Sequence, residues 1–326
     1  YIAIRRPMKT PESGTEVFSP VSYTGNNGVN TIESGFTVDA ELVAPRSTVR
    51  TWKPAFASRL TGTARYITTS STAAEQTDGP SEQFAYNTGV LRNGTNMNST
   101  ADSPLITWMF KRATGFMDVV AYTGNGSEGY QVNHNLGVIP ELIIIKRRNN
   151  ASAEGWFVGT EFSATNFTQA KLNVTDTAVN SLAYTSSSIF RAQPTTTTFT
   201  LGNYQDVNNS SGDTYISYLF ATLAGVSKVG GYTGTGSFMD IDCGFSAGAR
   251  FILIKRTDST GDWYVWDSVR GIVAGNDPYL LLNSTAAEVT STDYIDPLSS
   301  GFRITTAGAE GPLGASGGTY IFLAIA

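Results

Sequence analysis

The sequence NHNLGVIPELIIIKRR (residues 133–148) is the most informative stretch of the chain for its fold. Its run of Leu and Ile follows a Gly and a Pro and ends in basic residues, which is typical of a fully buried β-strand. A second copy, DCGFSAGARFILIKRT, lies at residues 242–257, and a weaker one, ESGFTVDAELVAPR, lies at residues 33–46. The chain therefore contains three versions of one strand unit.

Other landmarks recur around these copies in the same order. Each copy follows a Tyr-Thr-Gly turn and precedes a Trp, and two copies are followed by the pentapeptide STAAE. The landmarks are Tyr23, Tyr122 and Tyr232, then Trp52, Trp156 and Trp263, then STAAE at 71–75 and 284–288, with NVTDTA at 173–178 in the second unit. A period of roughly 100 residues is too long for a solenoid repeat and matches a small β-sandwich.

We therefore predict an all-β chain of three tandem β-sandwich-like domains, of jelly-roll or laminin-G-like type. The predicted division is an N-terminal docking arm at 1–19 and repeats at 20–115, 116–225 and 226–326. Composition supports this fold class, since 33 Gly residues and only 15% charged residues favour short strands joined by tight turns.

Composition also argues against several function classes. The net charge of −5 argues against nucleic-acid binding. No apolar run approaches the ~20 residues that span a membrane, so we expect no membrane insertion. A single Cys rules out a disulfide framework within the chain and a multi-Cys zinc site. We expect no cofactor and no bound metal.

The lone His134 and the lone Cys243 are the first candidates for catalysis. A catalytic His needs a nucleophile and an orienting acid. The other two repeats lack both residues at these places. We therefore predict a turn or surface role for His134 and a packing role for Cys243.

Acidic residues offer two further kinds of site. Glycosidases hold two carboxylates about 5–9 Å apart in a cleft, and the candidate pairs are Asp262 with Asp267 and Asp240 with Asp242. No cleft signature accompanies either pair, so we interpret these residues as turn formers, predict no catalytic residue, and predict that the protein is not an enzyme.

A calcium site is the second kind. The loop DVNNSSGD (206–213) offers oxygens from Asp206, Asn208 and Asp213. Its spacing does not match an EF-hand loop, so calcium binding here stays a minor alternative.

Basic residues end the repeated strand in every unit, at Arg46, at 146–148 and at 255–256. Recurrence at one structural place indicates that they cap a sheet edge or pair with an acid of the next unit.

The segment WYVW near the third copy raises the question of glycan binding. We predict that Trp156 and Trp263 fill sandwich cores. Because side chains alternate along a strand, Tyr264 and Trp266 lie on the opposite face from Trp263. We predict that these two aromatic residues are exposed and face glycans.

The repeated segments resemble a β-rich repeat of structural proteins of marine tailed bacteriophages, notably those of cyanobacteria. The resemblance rests on VAYTGNGSEGYQVNHNLGVIPELIIIKRRN and on VGGYTGTGSFMDIDCGFSAGARFILIKRTDSTGDWYVWDS with its closing TYIFLAIA. It is close over 116–326 and weaker over 18–115, where LIIIKR has become LVAPR. The family often places this repeat after a laminin-G-like or concanavalin-A-like domain in fibre and baseplate proteins.

The resemblance implies a virion structural protein, and we predict a tail fibre, baseplate appendage or adaptor for assembly and host attachment. The alternatives are a capsid decoration (head fibre) protein and a carbohydrate-binding module array. The expected partners are further copies in a cyclic oligomer such as a homotrimer, host surface glycans, and other virion proteins. The docking arm, with Arg5, Arg6 and Lys9, is expected to contact those virion proteins.

Overall fold

The computed structural model describes residues 8–47, 52–78, 83–84, 86–93, 96–101, 103–151, 155–185, 188–209 and 212–326. All strand pairings in these ranges are antiparallel. The helices among these residues are a 3-10 turn at Gly14–Glu16 and one short α-helix. None of them has the length and apolar character needed to cross a membrane. The predicted all-β fold is confirmed.

The first repeat contains a six-stranded sheet and a two-stranded sheet. Its strands are β1 (Phe18–Tyr23), β2 (Asn30–Glu33), β3 (Ala40–Pro45), β4 (Ala55–Ser58), β5 (Arg65–Thr68), β6 (Gln76–Thr77), β7 (Gly89–Arg92) and β8 (Leu105–Phe110). The large sheet has the order β1-β8-β3-β4-β5-β6, and β2 pairs with β7 in the small sheet.

The second repeat has the same topology. Its strands are β9 (Met117–Thr123), β10 (Tyr130–Asn133), β11 (Leu142–Arg147), β12 (Trp156–Thr160), β13 (Asn166–Lys171), β14 (Val179–Ala183), β15 (Thr198–Leu201) and β16 (Thr214–Phe220). The large sheet has the order β9-β16-β11-β12-β13-β14, and β10 pairs with β15.

The third repeat follows the same plan, with one strand more in the small sheet and one strand fewer in the large sheet. Its elements are β17 (Ser227–Thr233), β18 (Met239–Asp242), β19 (Phe251–Arg256), β20 (Trp263–Asp267), β21 (Leu280–Leu281), β22 (Ile295–Leu298), β23 (Gly301–Ile304), α1 (Thr306–Glu310) and β24 (Thr319–Ile325). The large sheet has the order β17-β24-β19-β20-β21, and β18, β23 and β22 form the small sheet.

Each repeat is a small β-sandwich with a core of its own. One face of the large sheet packs against the small sheet, as Ile143 and Ile145 of β11 do against Val132 and Phe199 in the second repeat. The first and third repeats have corresponding clusters between their two sheets.

The opposite faces of the three large sheets meet in a single shared core. Its members include Leu42, Ile144 and Leu253, which occupy the same position of the repeated strand in the three units. Because both faces of each large sheet are covered, the residues of β11 are buried without alternation. This explains why the strand begins with an uninterrupted apolar run at residues 142–145.

The three repeats close into a ring around this core. Phe56 stacks on Tyr218 with ring centroids 4.4 Å apart, and Phe18 lies edge-on to Phe251 at 5.4 Å. Contacts therefore run from the first repeat to each of the other two. Three units of one topology that meet at corresponding places form an approximately three-fold arrangement within one chain.

The predicted docking arm differs from the observed structure. Val17 and Phe18 are buried in the shared core, and β1 begins at Phe18. Gly14 lies so close to the carbonyl of Ala326 that a Cβ there would be 1.8 Å from that oxygen. Residues 14–19 therefore belong to the folded body and not to an arm, because apolar residues in this segment complete the core.

The predicted boundaries at Gly115 and Gly225 fall in the short loops that join β8 to β9 and β16 to β17. Both glycines have positive φ, 79° and 71°, so each loop turns through the left-handed region that favours glycine. The independence of the three repeats as domains stays a prediction, and it is tested by the isolated third repeat described below.

Candidate functional site

The seams between repeats are the most elaborate polar features of the described residues. In each seam, the residue directly after the repeated strand accepts a backbone hydrogen bond from another repeat. The three bonds run from Glu75 to Arg148 (2.7 Å), from Ala178 to Thr257 (3.1 Å) and from Glu288 to Arg46 (3.3 Å), each from the amide N–H to the carbonyl oxygen. These equivalent bonds close the ring.

Two seams add an ion pair at the same place. Arg148 donates from Nε to Glu75 at 2.7 Å, and Arg46 donates from Nε and Nη2 to Glu288 at 3.0 Å. The acids are the last residues of the two STAAE motifs. The prediction that the basic strand ends pair with another unit is confirmed for these two arginines, but the partner is the preceding repeat in the ring.

Buried lysines and tryptophans complete the seams. Lys146 and Lys255 donate from Nζ to the equivalent carbonyls of Thr72 (3.0 Å) and Thr175 (3.1 Å). Burial lowers the pKa of each lysine to about 8. The indole Nε1 of Trp263 donates to the Lys171 carbonyl at 2.8 Å.

Trp156 makes the corresponding bond to the Thr68 carbonyl at 2.9 Å. Trp156 and Trp263 are both buried in the shared core. Their predicted core role is confirmed, and the structure adds that each also joins two repeats.

Tyr264 and Trp266, the pair predicted to face glycans, do not form an exposed surface. The alternation of WYVW is as expected, because Trp263 and Val265 face the shared core whereas Tyr264 and Trp266 face the other way. That other face is covered by the small sheet, so Trp266 is fully buried. Tyr264 is partly buried and packs on Trp266 and Tyr279. The predicted exposure of Trp266 is wrong, because both faces of this sheet are covered.

The basic residues of the docking arm are placed only in part. Arg5 and Arg6 lie outside the described residues. Lys9 is exposed and pairs with Glu12 at 3.3 Å and with Glu16 at 3.7 Å. Its charge is therefore balanced by its own segment.

His134 and Cys243 are both buried. His134 lies at a turn, accepts from the Leu136 amide at Nδ1 and contacts the Thr195 carbonyl through Nε2 at 3.2 Å. Burial lowers the pKa of His134 and raises that of the Cys243 thiol to about 12. Of the two roles predicted for His134, the surface role is wrong because the side chain is buried, and the bond from the Leu136 amide supports the turn role. The packing role of Cys243 is confirmed.

The acidic pairs considered for glycosidase chemistry have separate structural partners. Asp267 is buried and accepts from Arg270 and from the Trp108 indole. Asp262 accepts from Asn283, Asp240 pairs with Arg303, and Asp242 accepts from the Gly244 amide. These carboxylates stabilise turns and strand ends.

The loop proposed for calcium uses its oxygens internally. Arg147 lies 3.7 Å from Asp206 and 3.3 Å from Asp213, and Asn150 also donates to Asp213. The side chain of Asn208 binds the amides of the Tyr-Thr-Gly turn. This loop is therefore not the calcium site considered above, because a guanidinium already occupies the space between its carboxylates. Among the described residues no three His, Cys, Asp or Glu side chains converge as a metal site.

A surface cleft of about 290 Å³ lies on the second repeat beside its seam with the third. Gln169 and Lys171 of β13, Asp176, Thr177 and Tyr204 contribute to its walls. The walls combine two aromatic rings, those of Phe157 and Tyr204, with amide, amine, hydroxyl and carboxylate groups, and this mixture suits a polar ligand. The alternation of β13, with Ala170 buried between Gln169 and Lys171, carried this signal in the sequence. Alternation alone does not show that a cleft forms beside the strand, so the sequence did not identify these residues as a site.

Comparison with known families places all three repeats in one unit. Residues 13–326 match the family described as "Domain of unknown function (DUF7483)". No curated protein matches the chain. The matched range runs from the segment packed on Ala326 to the last strand, so it contains the whole ring. The chain belongs to the DUF7483 family.

Proposed function

We propose that the chain is a structural protein of a tailed-bacteriophage virion, a tail-fibre or baseplate component that serves assembly and host attachment. Support comes from the resemblance of residues 116–326 to repeats of such proteins. No catalytic step is part of this proposal.

The observation that carries the proposal is the closed ring. A shared apolar core, three equivalent backbone bonds and two inter-repeat ion pairs hold the repeats in one body. Such a body resists the relative movement of its parts, which suits a component that transmits force and presents surfaces on a particle.

Immunogold electron microscopy of intact particles tests the proposal, with an antibody raised against the folded chain. Label at the tail tip or fibres supports it. Label over the head favours the alternative of a capsid decoration protein, and particles without label contradict both.

The proposal includes a cyclic homo-oligomer, and light scattering of the purified chain tests that part. A mass three times that of one chain supports a homotrimer. A monomer contradicts it, and the three-fold arrangement then exists only within the chain.

Glycan binding is the second candidate function, and the cleft on β13 favours it. Gln169→Ala removes a polar wall group from this cleft, whereas Gln131→Ala removes an exposed amide from β10 as a matched control. On an array of host surface glycans, we expect the first variant to lose binding and the control to retain it. Equal binding by both variants contradicts this assignment.

A further inference from the structure

A group of buried oxygens in the third repeat has no counterpart among the features assigned so far. Asp277 lies in the loop between β20 and β21 and is fully buried. Its amide donates to the Thr292 carbonyl at 2.9 Å. Its Oδ2 accepts long bonds from the amides of Tyr294 (3.3 Å) and Ile295 (3.4 Å). Its Oδ1 has no hydrogen-bond partner.

Two further side-chain oxygens, on the segment whose Thr292 carbonyl accepts from the Asp277 amide, share this condition. Thr292 Oγ1 and Asp293 Oδ1 are also buried atoms without a hydrogen-bond partner. A buried polar atom without a partner is costly, and these three lie on two segments that the backbone bond from Asp277 to Thr292 joins. All three are oxygens, and two belong to carboxylates.

The pKa of Asp277 also indicates a site that would accept a cation. Burial raises the pKa of Asp277 to about 7, and the nearby carboxylates of Asp293 and Asp296 add to this effect. No basic group is among the causes of the shift. The one arginine that faces Asp296, Arg303 on β23, pairs with Asp240. The described contacts of the Asp277 carboxylate therefore include no cationic side chain.

We propose that Asp277, Thr292 and Asp293 bind a calcium-type divalent cation. Calcium takes six to eight oxygen ligands from carboxylates, hydroxyls, backbone carbonyls and water. A donor set of oxygens without His or Cys favours a hard cation over zinc. The site uses two carboxylates, which agrees with the lack of a three-acid cluster. It is independent of the virion role.

A matched control exists in the first repeat. Asp78 is a buried carboxylate with a raised pKa, but its two oxygens accept from the amides of Asn96 (2.8 Å) and Met97 (3.2 Å). Asp78→Asn therefore changes a buried acid whose oxygens already have partners. Asp277→Asn changes one whose Oδ1 is open to a ligand.

The test uses the full chain and terbium, which occupies calcium sites and luminesces when nearby tyrosines are excited. We expect luminescence from the wild type and the Asp78→Asn variant, with calcium chloride displacing terbium from both. Asp277→Asn and Asp293→Asn are expected to weaken terbium binding at least tenfold. Circular dichroism confirms that each variant is folded.

Thermal unfolding gives a second measurement. Calcium at about 100 times its Kd is expected to raise the Tm of the wild type by about 3 °C, and to leave Asp277→Asn unchanged. In EDTA at pH 8, Asp277→Asn is expected to have the higher Tm, because it removes an unbalanced buried charge. A wild type without a calcium response, or an equal response in Asp277→Asn, overturns the proposal and leaves a protonated buried carboxyl.

Discussion

Whether a side chain in this protein is exposed or buried depends on which sheet packs over it. Trp266 lies on the face of β20 opposite Trp263, and the small sheet covers that face. Aromatic residues on a strand are exposed only where one side of the sheet meets water. Here neither side does, so an aromatic residue that seemed free to bind a sugar is part of a core.

Trp266→Ala is therefore expected to act on stability. Loss of a fully buried indole costs about 3–5 kcal/mol of unfolding free energy. Urea unfolding followed by circular dichroism measures this change, with Phe238→Ala, an exposed aromatic, as the control. A Trp266→Ala variant with wild-type stability and lost glycan binding would restore the original assignment.

The buried lysines predict a pH dependence. Burial lowers the pKa of Lys255 to about 8 in the folded chain, from the ordinary lysine value of 10.5. Between pH 8 and pH 10 the unfolded chain therefore binds more protons, and stability rises with pH. Over this pH range, the titration of one such lysine raises the free energy of unfolding by about 2–3 kcal/mol.

Lys255→Met is expected to remove this contribution to the free energy of unfolding. The variant should therefore gain less stability between pH 8 and pH 10 than the wild type does. Cys243 and the buried tyrosines affect both proteins equally and cancel in the comparison. Lys53→Met, at an exposed site, is the control and keeps the wild-type profile. Identical profiles for the wild type and Lys255→Met count against burial of a charged amine in the seam.

At the scale of elements, the end of the repeated strand in one repeat contacts the STAAE motif of another and joins the two repeats. The strand of one repeat supplies the arginine and the carbonyl, and the STAAE segment of another supplies the acid and the amide. At the third seam, Thr257 and Ala178 stand where the other seams have Arg and Glu. Both charges are absent together, which leaves no unpaired ion.

Glu288→Gln tests the joint between the first and third repeats. Glu288 is 7% exposed and accepts from Arg46 and Arg270, so its neutral variant leaves two guanidinium groups under-compensated. We expect a loss of about 2–4 kcal/mol in unfolding free energy. Glu12→Gln, at the exposed Lys9 pair, is expected to leave the unfolding midpoint unchanged. Similar midpoints for both variants would contradict a stabilising role of the seam pair.

At the scale of the whole molecule, the three repeats share one apolar core. The third repeat alone would expose Phe251, Leu253 and Leu323 to water. Exposed apolar faces of this size drive association or unfolding. The tandem arrangement seen in the sequence forms a ring in the structure, and we expect each repeat to need the other two.

We expect residues 226–326 in isolation to aggregate or remain unfolded, whereas residues 13–326 unfold in one cooperative transition. Gel filtration and amide NMR of the fragment, with urea unfolding of the longer chain, measure both. A monomeric fragment with a dispersed amide spectrum would show that the repeat is an independent domain, as the sequence analysis proposed.

Local patterns were sufficient to predict the strand class, the three-fold repetition and the burial of Trp156 and Trp263. These follow from properties of short segments: β-branched runs, turn residues and the recurrence of one motif order. The pairing of the basic strand ends between repeats was also accessible, because repetition marks a position that the fold uses each time. The non-catalytic role of His134 was accessible for the opposite reason, because the other repeats have no His at this place.

The burial of Trp266, the inclusion of residues 14–19 in the body, the cleft beside β13 and the open oxygens around Asp277 depended on the tertiary structure. Alternation along a strand tells which side chains share a face, but only the packing of the sheets tells whether water reaches that face. The unpaired oxygens come from residues about 15 positions apart in the chain, and only folding brings them together. Which distant residues come together, and which sheet faces are shielded from water, depend on how the three repeats pack, and no local sequence pattern contains this information.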